Sequence, residues 1–273
     1  MYKAKSILSN TLKMNFIKVR IGNQESFDFV PNNQLGIPKV VFQTTRSKWL
    51  PWRFYMDVNK FRKSNRDINF ITFDQKDMKK WMAANYAGET ILNAFDNSQF
   101  GVVQSDIFRY CYAYKNGGIS LDLSKYLTSS LNKTLAEVKS EFVLSQESRR
   151  TRVENLASML EEAQLKHNLL ITWCFSTVPG NAAILEVIKI IEENYEQNRE
   201  KVFEDIADGI WNMTGPVAFN LGVLGHFLKV KQPKTRIEGV DFGEKEWPKF
   251  KSSSLVNVYR KHYTEESNRS IFK

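Results

Sequence analysis

The sequence predicts a single α/β domain in which short buried strands form a sheet flanked by amphipathic helices. Three observations carry that expectation. Strand-like apolar runs alternate with segments of helical spacing, the glycines at 117 and 118 mark a change of period from helix to strand, and 273 residues lie within the range of one large α/β domain.

Taken in order, residues 37–44 read as a buried strand opened by Pro38, and residues 68–73 as a second strand after the polar turn at Asn65, Arg66 and Asp67. Residues 77–86 and 89–95 have helical spacing. The next helix is expected over 105–116, with Ser105 as N-cap, Gly117 as the C-terminal stop, and Ile107, Phe108, Cys111, Tyr112 and Tyr114 recurring mainly every three or four residues. Beyond the glycines, Ile119, Leu121 and Leu123 alternate with Ser120, Asp122 and Ser124, which is the period of a strand. Residues 129–139 are ambiguous, 142–144 suggest a short strand, and 149–167 form a polar helix or loop. Residues 169–177 are strand-like. The turn Pro179-Gly180-Asn181 then opens a long helix from 182 to about 206, whose stripe of Ile184, Leu185, Ile188, Ile191 and Tyr195 reads as core. Residues 1–36 form a basic segment, slightly amphipathic through Ile7, Leu8, Leu12, Phe16 and Ile17, that is expected to pack on the domain of residues 37–273.

Thirty-nine basic residues against thirty acidic ones give a net charge of +9, concentrated before the first acid and between Arg46 and Arg66. Such a surface attracts anions: nucleotide phosphates, acidic glycans, lipid headgroups or nucleic acid. No RRM, KH or helix-turn-helix signature accompanies the charge, so a nucleic-acid partner is not expected. Cys111 and Cys174 give no disulfide framework, the three histidines no zinc spacing, and no P-loop, GxGxxG or nucleophile elbow is present. With no charged-then-apolar leader and no run near the ~20 residues of a membrane span, a soluble cytoplasmic protein is expected, with peripheral contact at the inner membrane face left open.

The chemistry concentrates in one stretch. Asp106 and Arg109, three residues apart, share a helix face near its N-terminus. Asp122 and Ser124 lie on one side of the following strand, whose end in an α/β sheet suits a metal ion or a ribose hydroxyl. One small ligand of the sugar-nucleotide kind could meet all of them.

The string SDIFRYCYAYKNGGISLDLS resembles the S/A-D-x-x-R-Y…GGxYxDxD segment of glycosyltransferases with the GT-A fold, in particular the family 32 "DXD sugar-binding" enzymes, their capsular-polysaccharide relatives and the more distant glucosylating toxins. The segment Ile37-Pro38-Lys39-Val40-Val41-Phe42-Gln43-Thr44 resembles the family's opening strand, and Trp211-Asn212-Met213-Thr214-Gly215-Pro216 its late T-G-P segment. Four positions depart from the pattern: the second DXD acid is Ser124, the preceding tyrosine is Ser120, the strand-one histidine is Phe42, and the tryptophan after the strand-one threonine is Thr45.

This resemblance implies a GT-A fold, with a Rossmann-like mixed sheet flanked by helices, and an enzyme moving a hexose from a UDP- or GDP-sugar to a glycan or glycolipid acceptor. Retention and a place in surface polysaccharide assembly follow from the same resemblance. Asp106, Arg109 and Asp122 are the implied catalytic residues. Phe42, Gln43, Thr44 and Ser124 join them in binding donor, and Asn212, Thr214 and Gly215 line the acceptor or donor pocket. A divalent cation, manganese or magnesium, would be held weakly by Asp122, Ser124 and His262, because a neutral hydroxyl is a poorer ligand than a carboxylate. Ser124 also motivates a different reading, a degenerate relative that binds a glycan or a partner without turnover.

Overall fold

The computed structural model describes residues 17–23, 36–127, 140–147, 154–165, 168–230, 235–240, 250–252 and 266–273. At its centre is a mixed six-stranded sheet built from β2 (Val40–Thr44), β4 (Asn69–Phe73), β5 (Gly118–Leu121), β7 (Phe142–Gln146), β8 (Cys174–Thr177) and β10 (Thr235–Val240). Their spatial order is β10-β7-β8-β5-β2-β4. β5 and β4 run parallel to β2, β10 runs parallel to β7, and β8 runs antiparallel to both of its neighbours, β5 and β7. Two small ribbons flank the sheet: β1 (Lys18–Arg20) pairs with β3 (Trp49–Pro51), and β6 (Lys125–Leu127) with β11 (Phe250–Ser252).

Strand alternation divides the apolar residues between two faces of the sheet. Phe42, Phe142, Leu144 and Phe175 point to one side, where they meet α3 (Thr90–Asn97), α4 (Gly101–Asn116), α6 (Ala182–Asn198) and α8 (Pro216–Lys229) in the main core. Val41, Phe70, Ile119 and Val143 point to the other, against Phe61 of α1 (Trp52–Lys63). α2 (Gln75–Asn85) opens with a capping box in which Asp74 accepts from the Asp77 amide and Asp77 from the Asp74 amide. Its Trp81 joins Phe108, Tyr112 and Phe73, with ring separations of 4.8–5.7 Å across most of the group.

Several boundaries differ from the sequence expectation. The helix expected from Ser105 begins at Gly101, with Phe100 as N-cap and no side-chain cap, so Ser105 lies inside it. The helix expected to reach about 206 ends at Asn198. Residues 202–205 instead form β9 (Val202–Asp205), paired antiparallel with β12 (Ser267–Ser270), and α7 (Ile206–Met213) starts afresh with Asp205 accepting from the Asp208 amide. The apolar stripe ends at Tyr195 and the polar run after it has nothing to bury, so pairing with the distant β12 decides the conformation there. The strand expected over 169–177 is confined to β8, with only an isolated bridge between Leu170 and Gln146 before it. The expected strand over 142–144 extends to Gln146, and α5 (Glu154–Glu162) lies within the segment left open as helix or loop. The ambiguous residues 129–139 fall outside the described residues.

Of residues 1–36, the described portion includes β1 and Ile21. Ile21 is buried with Leu50, Phe54, Val58 and Leu123.

Candidate active site

The turn from α4 into β5 sets the geometry. Gly117, at φ +66°, ends the helix, and Gly118, at φ +99°, passes so close to β2 that a Cβ there would stand 2.8 Å from the Val40 carbonyl oxygen. From Arg109 the helix descends to this turn over eight residues at about 1.5 Å each. β5 climbs back over four residues at about 3.3 Å each, a nearly equal length. The middle of α4 therefore stands level with the C-terminal end of β5, and Arg109 meets Asp122 across thirteen positions of sequence.

Arg109 is the hub. Its Nη2 donates to Asp122 Oδ1 at 2.9 Å, its Nη1 to the Thr172 carbonyl at 2.7 Å, and its Nε lies 3.7 Å from Asp106 Oδ1. Only 9% of the Arg109 side chain is exposed. Burial works against its charge, but Asp122 and then Asp106 outweigh that effect and raise its pKa further, so the guanidinium stays charged. On its other oxygen Asp106 accepts from Thr214 Oγ1 at 3.4 Å. Burial pushes the Asp106 carboxyl up to about 7, against the pull of Arg109 and with Asp122 adding to the rise.

The two acids differ in access. Asp106 is 9% exposed and Asp122 36%, so Asp122 is the carboxylate a solvent-borne ligand can reach. Its main chain is fixed as well, because its amide donates to the Trp173 carbonyl and its own carbonyl accepts from the Lys125 amide, both at 2.9 Å. That second bond makes 122–125 a turn. β5 ends at Leu121, and the strand alternation expected to place Asp122 and Ser124 on one side stops there. Ser124 is half-buried in the turn.

The remaining expected site residues divide into three groups. Thr214 joins the cluster directly, and Gly215 serves its approach: it is the N-cap of α8, and a Cβ there would come within 3.0 Å of the Ile210 carbonyl oxygen. Asn212 points its amide back to the Asp208 carbonyl of its own helix, at 2.8 Å. Phe42 is 1% exposed and packs against Tyr112 at 4.6 Å, which is a core position. Gln43 is equally buried and accepts from Arg62, while Thr44 is half-buried beside Phe73 at the strand's end. His262 lies outside the described residues.

Several supporting residues carry no motif. The Thr172 and Trp173 carbonyls enter the site from the loop before β8. Asn220 fixes that loop, since its Oδ1 accepts from the Leu170 amide at 2.8 Å and its Nδ2 donates to the Leu170 carbonyl at 3.0 Å. Asn194 donates to the carbonyls of Asn212 and Met213 and so steadies the approach to Thr214. Lys125 Nζ lies over the Trp173 ring at 4.7 Å. Asn220 leaves a trace in the sequence, as a lone amide in the apolar run of α8; a backbone carbonyl leaves none. A separate cavity of about 330 Å³, lined by Lys48, Thr72, Phe73, Asp77 and Trp81 among others, includes none of the cluster residues.

A resident divalent cation fits this donor set poorly. Arg109 occupies one Asp122 oxygen, Asp106 is buried and engaged, and among the described residues no group of three His, Cys, Asp or Glu side chains could hold a metal. Asp122 Oδ2 and Ser124 Oγ are what the 122–125 turn offers.

Residues 51–141 match the family described as "Glycosyltransferase sugar-binding region containing DXD motif", whose members typically use a divalent cation and a nucleotide sugar. The chain is 22% identical over 117 residues to inositol phosphoceramide mannosyltransferase 3 of Schizosaccharomyces pombe, an alignment covering 43% of this chain and 32% of that one. It thus spans about a third of that relative's length. Among solved structures it resembles the PaToxG glycosyltransferase with a TM-score of 0.51 and 12% identity, covering 71% of this chain and 70% of the other. The matched region contains α4, β5 and the Asp106, Arg109 and Asp122 cluster, the shared fold extends well beyond it, and the three likenesses together support a GT-A-like glycosyltransferase.

Proposed function

We propose that this chain moves a hexose from a nucleoside-diphosphate sugar to a glycan or glycolipid acceptor, with retention of anomeric configuration, at the cytoplasmic side of surface polysaccharide or glycolipid assembly. The observation that carries this reading is the Asp106, Arg109, Asp122 and Thr214 cluster at the C-terminal end of a central strand. In open α/β sheets such crevices receive ligands. The S. pombe relative's name favours mannose among hexoses and a lipid-linked acceptor.

Asp122, the accessible acid, meets the donor, where one carboxylate oxygen can accept from a ribose or sugar hydroxyl. Arg109 is a positioning residue: it spends its donors on Asp122, Thr172 and Asp106, and so fixes the direction of the Asp122 carboxylate before any ligand arrives. Asp106, held by Arg109 and Thr214, completes the support. Departure of the nucleoside diphosphate needs its developing charge neutralised, a task met in such enzymes by a divalent cation or by basic side chains. A cation bound together with the donor would be held by Asp122 and Ser124 and would supply part of that neutralisation.

The test is hydrolysis and transfer with a panel of UDP- and GDP-sugars, GDP-mannose included, with and without manganese, on wild type and Asp122→Asn. Turnover of at least one sugar, lost in the variant while the protein remains folded, is expected. Absence of both turnover and millimolar binding of UDP or GDP would refute the donor-site reading. Ser124 in place of an acid favours one alternative, a non-catalytic relative, which would bind a nucleotide sugar in the same panel and never cleave it.

A further inference from the structure

Opposite the main helical layer, β1, β3 and the first turns of α1 form a small lobe. Among the described residues five large apolar side chains are exposed, and three of them belong to this lobe: Trp49 at 56%, Ile17 at 54% and Met56 at 48%. They are neighbours in the fold. The Ile17 carbonyl accepts from the Trp52 amide at 2.9 Å, Trp49 pairs with Arg20 across the ribbon, and Met56 lies one helical turn beyond Trp52, whose ring stacks on Tyr55. Around them stand exposed cations: Lys18 and Arg20 on β1, Arg46 before β3, and Lys60 on α1. Residues 17–23 and 36–66 together contain ten basic residues and one acid, Asp57.

We propose that this lobe docks the protein on an anionic lipid bilayer. Tryptophan favours the headgroup boundary, where its ring is half in hydrocarbon and its N–H in water, and isoleucine and methionine gain by leaving water for the acyl region. The surrounding cations supply long-range attraction to acidic headgroups. Nucleic acid would satisfy the cations and stack on Trp49, but it offers nothing to Ile17 or Met56. No helix among the described residues is long and apolar enough to cross a membrane, so the contact is peripheral.

The lobe's position gives the contact a consequence. Leu123, in the turn between Asp122 and Ser124, is buried against Ile21, Leu50, Phe54 and Val58 of this same lobe. A bilayer touching Trp49 and Met56 is therefore coupled through one layer of packing to the turn that carries Asp122. The inference stands apart from the reaction, because vesicle binding requires neither donor nor turnover.

The experiment is co-sedimentation of the full chain with vesicles of phosphatidylcholine alone or with about 30% phosphatidylserine, at low and high salt. Binding to the anionic vesicles alone, weakened by salt, is expected. A charge near an acidic membrane is worth about fivefold in affinity, so R20E/K60E, which reverses two charges, should weaken binding at least about 25-fold. W49A/M56A should weaken it about tenfold at unchanged net charge, and R199E, on the far end of α6, should leave it unchanged. These side chains are exposed, so melting temperatures should stay near wild type. Equal sedimentation with both vesicle types, no sedimentation, or an unaffected W49A/M56A would overturn the proposal. So would R20E/K60E weakening binding to a single-stranded RNA oligonucleotide while vesicle binding persists, or self-association through Trp49 without vesicle binding.

Discussion

Asp106 carries a measurable consequence for stability. Its carboxyl is raised from an ordinary 3.8 to about 7, first by burial and then by Asp122, with Arg109 opposing. A carboxyl raised on folding holds its proton in the native state while the unfolded chain releases it. The native advantage is complete below about pH 4 and is lost as pH rises through about 7. The shift spans about 3 pH units, each worth about 1.4 kcal/mol, so wild type should lose about 4 kcal/mol between pH 4 and pH 8 through this group alone. Asp106→Asn has nearly the same shape and cannot ionise. Its oxygen can face Arg109, and its amide can donate to the Thr214 hydroxyl.

Urea unfolding of both proteins from pH 4.5 to 8.5 isolates the effect. The stability of Asp106→Asn minus that of wild type should climb with pH by several kcal/mol and flatten above pH 8. Other acids cancel in the subtraction. Glu186, held low mainly by Lys189, and Asp77, where Lys48 and Asp74 outweigh burial, lose their contributions on acidification in both proteins alike. A difference that is flat from pH 5 to 8 would show that Asp106 ionises on the native protein as easily as in water, and the account of its burial would fail.

Three further changes probe the surroundings. The Tyr110 hydroxyl is fully buried without a hydrogen-bond partner among the described residues, with its ring packed against both Phe175 and Phe219; Tyr110→Phe should raise the melting temperature by a few degrees, about 1 kcal/mol or more, and a fall would reveal a partner for the hydroxyl. Asn220→Ala leaves both polar groups of Leu170 without their partner and takes one donor from the Pro216 carbonyl, so unfolding free energy should drop by about 3 kcal/mol, and hydrogen exchange should accelerate at 170–173, where the Thr172 carbonyl meets Arg109. Ser124→Asp adds a carboxylate to the 122–125 turn, and manganese affinity measured calorimetrically with UDP or GDP present should rise; an unchanged affinity would place the cation away from this turn.

Much of the site was legible because its parts are local. Helix, glycine stop and strand follow one another within residues 101–122, and spacing alone puts Asp106 and Arg109 on one face and Asp122 at the strand's end. The start of that helix escapes the sequence because Ser105 is a good N-cap by type, whereas Phe100 and Gly101 carry no capping signal; the buried surface that stabilises the first turn belongs to other elements. The contact of Thr214 with Asp106 spans 108 positions, and no periodicity can announce it; only the resemblance of the T-G-P segment pointed there. The strand at 202–205 was invisible for the same reason, since its partner is β12, more than sixty residues on.

Serine at position 124, where the DXD pattern that this segment resembles has a second acid, alters the charge balance of the site. Arg109 carries one positive charge, Asp122 one negative, and Asp106 is about half protonated near neutrality, so the cluster is close to neutral before any ligand arrives. A two-acid turn would add negative charge beside Asp122 and draw Arg109 or a cation toward it. With Ser124 in that place, Arg109 can remain fully committed to Asp122 and to the Thr172 carbonyl, and the short contacts at 2.9 and 2.7 Å show that it does. The serine thus favours a site whose direction is fixed by a buried arginine over one whose direction is fixed by a metal. Arg109→Lys, which keeps the charge but cannot reach Asp122, Thr172 and Asp106 at once, should therefore impair the site nearly as much as removing the charge altogether.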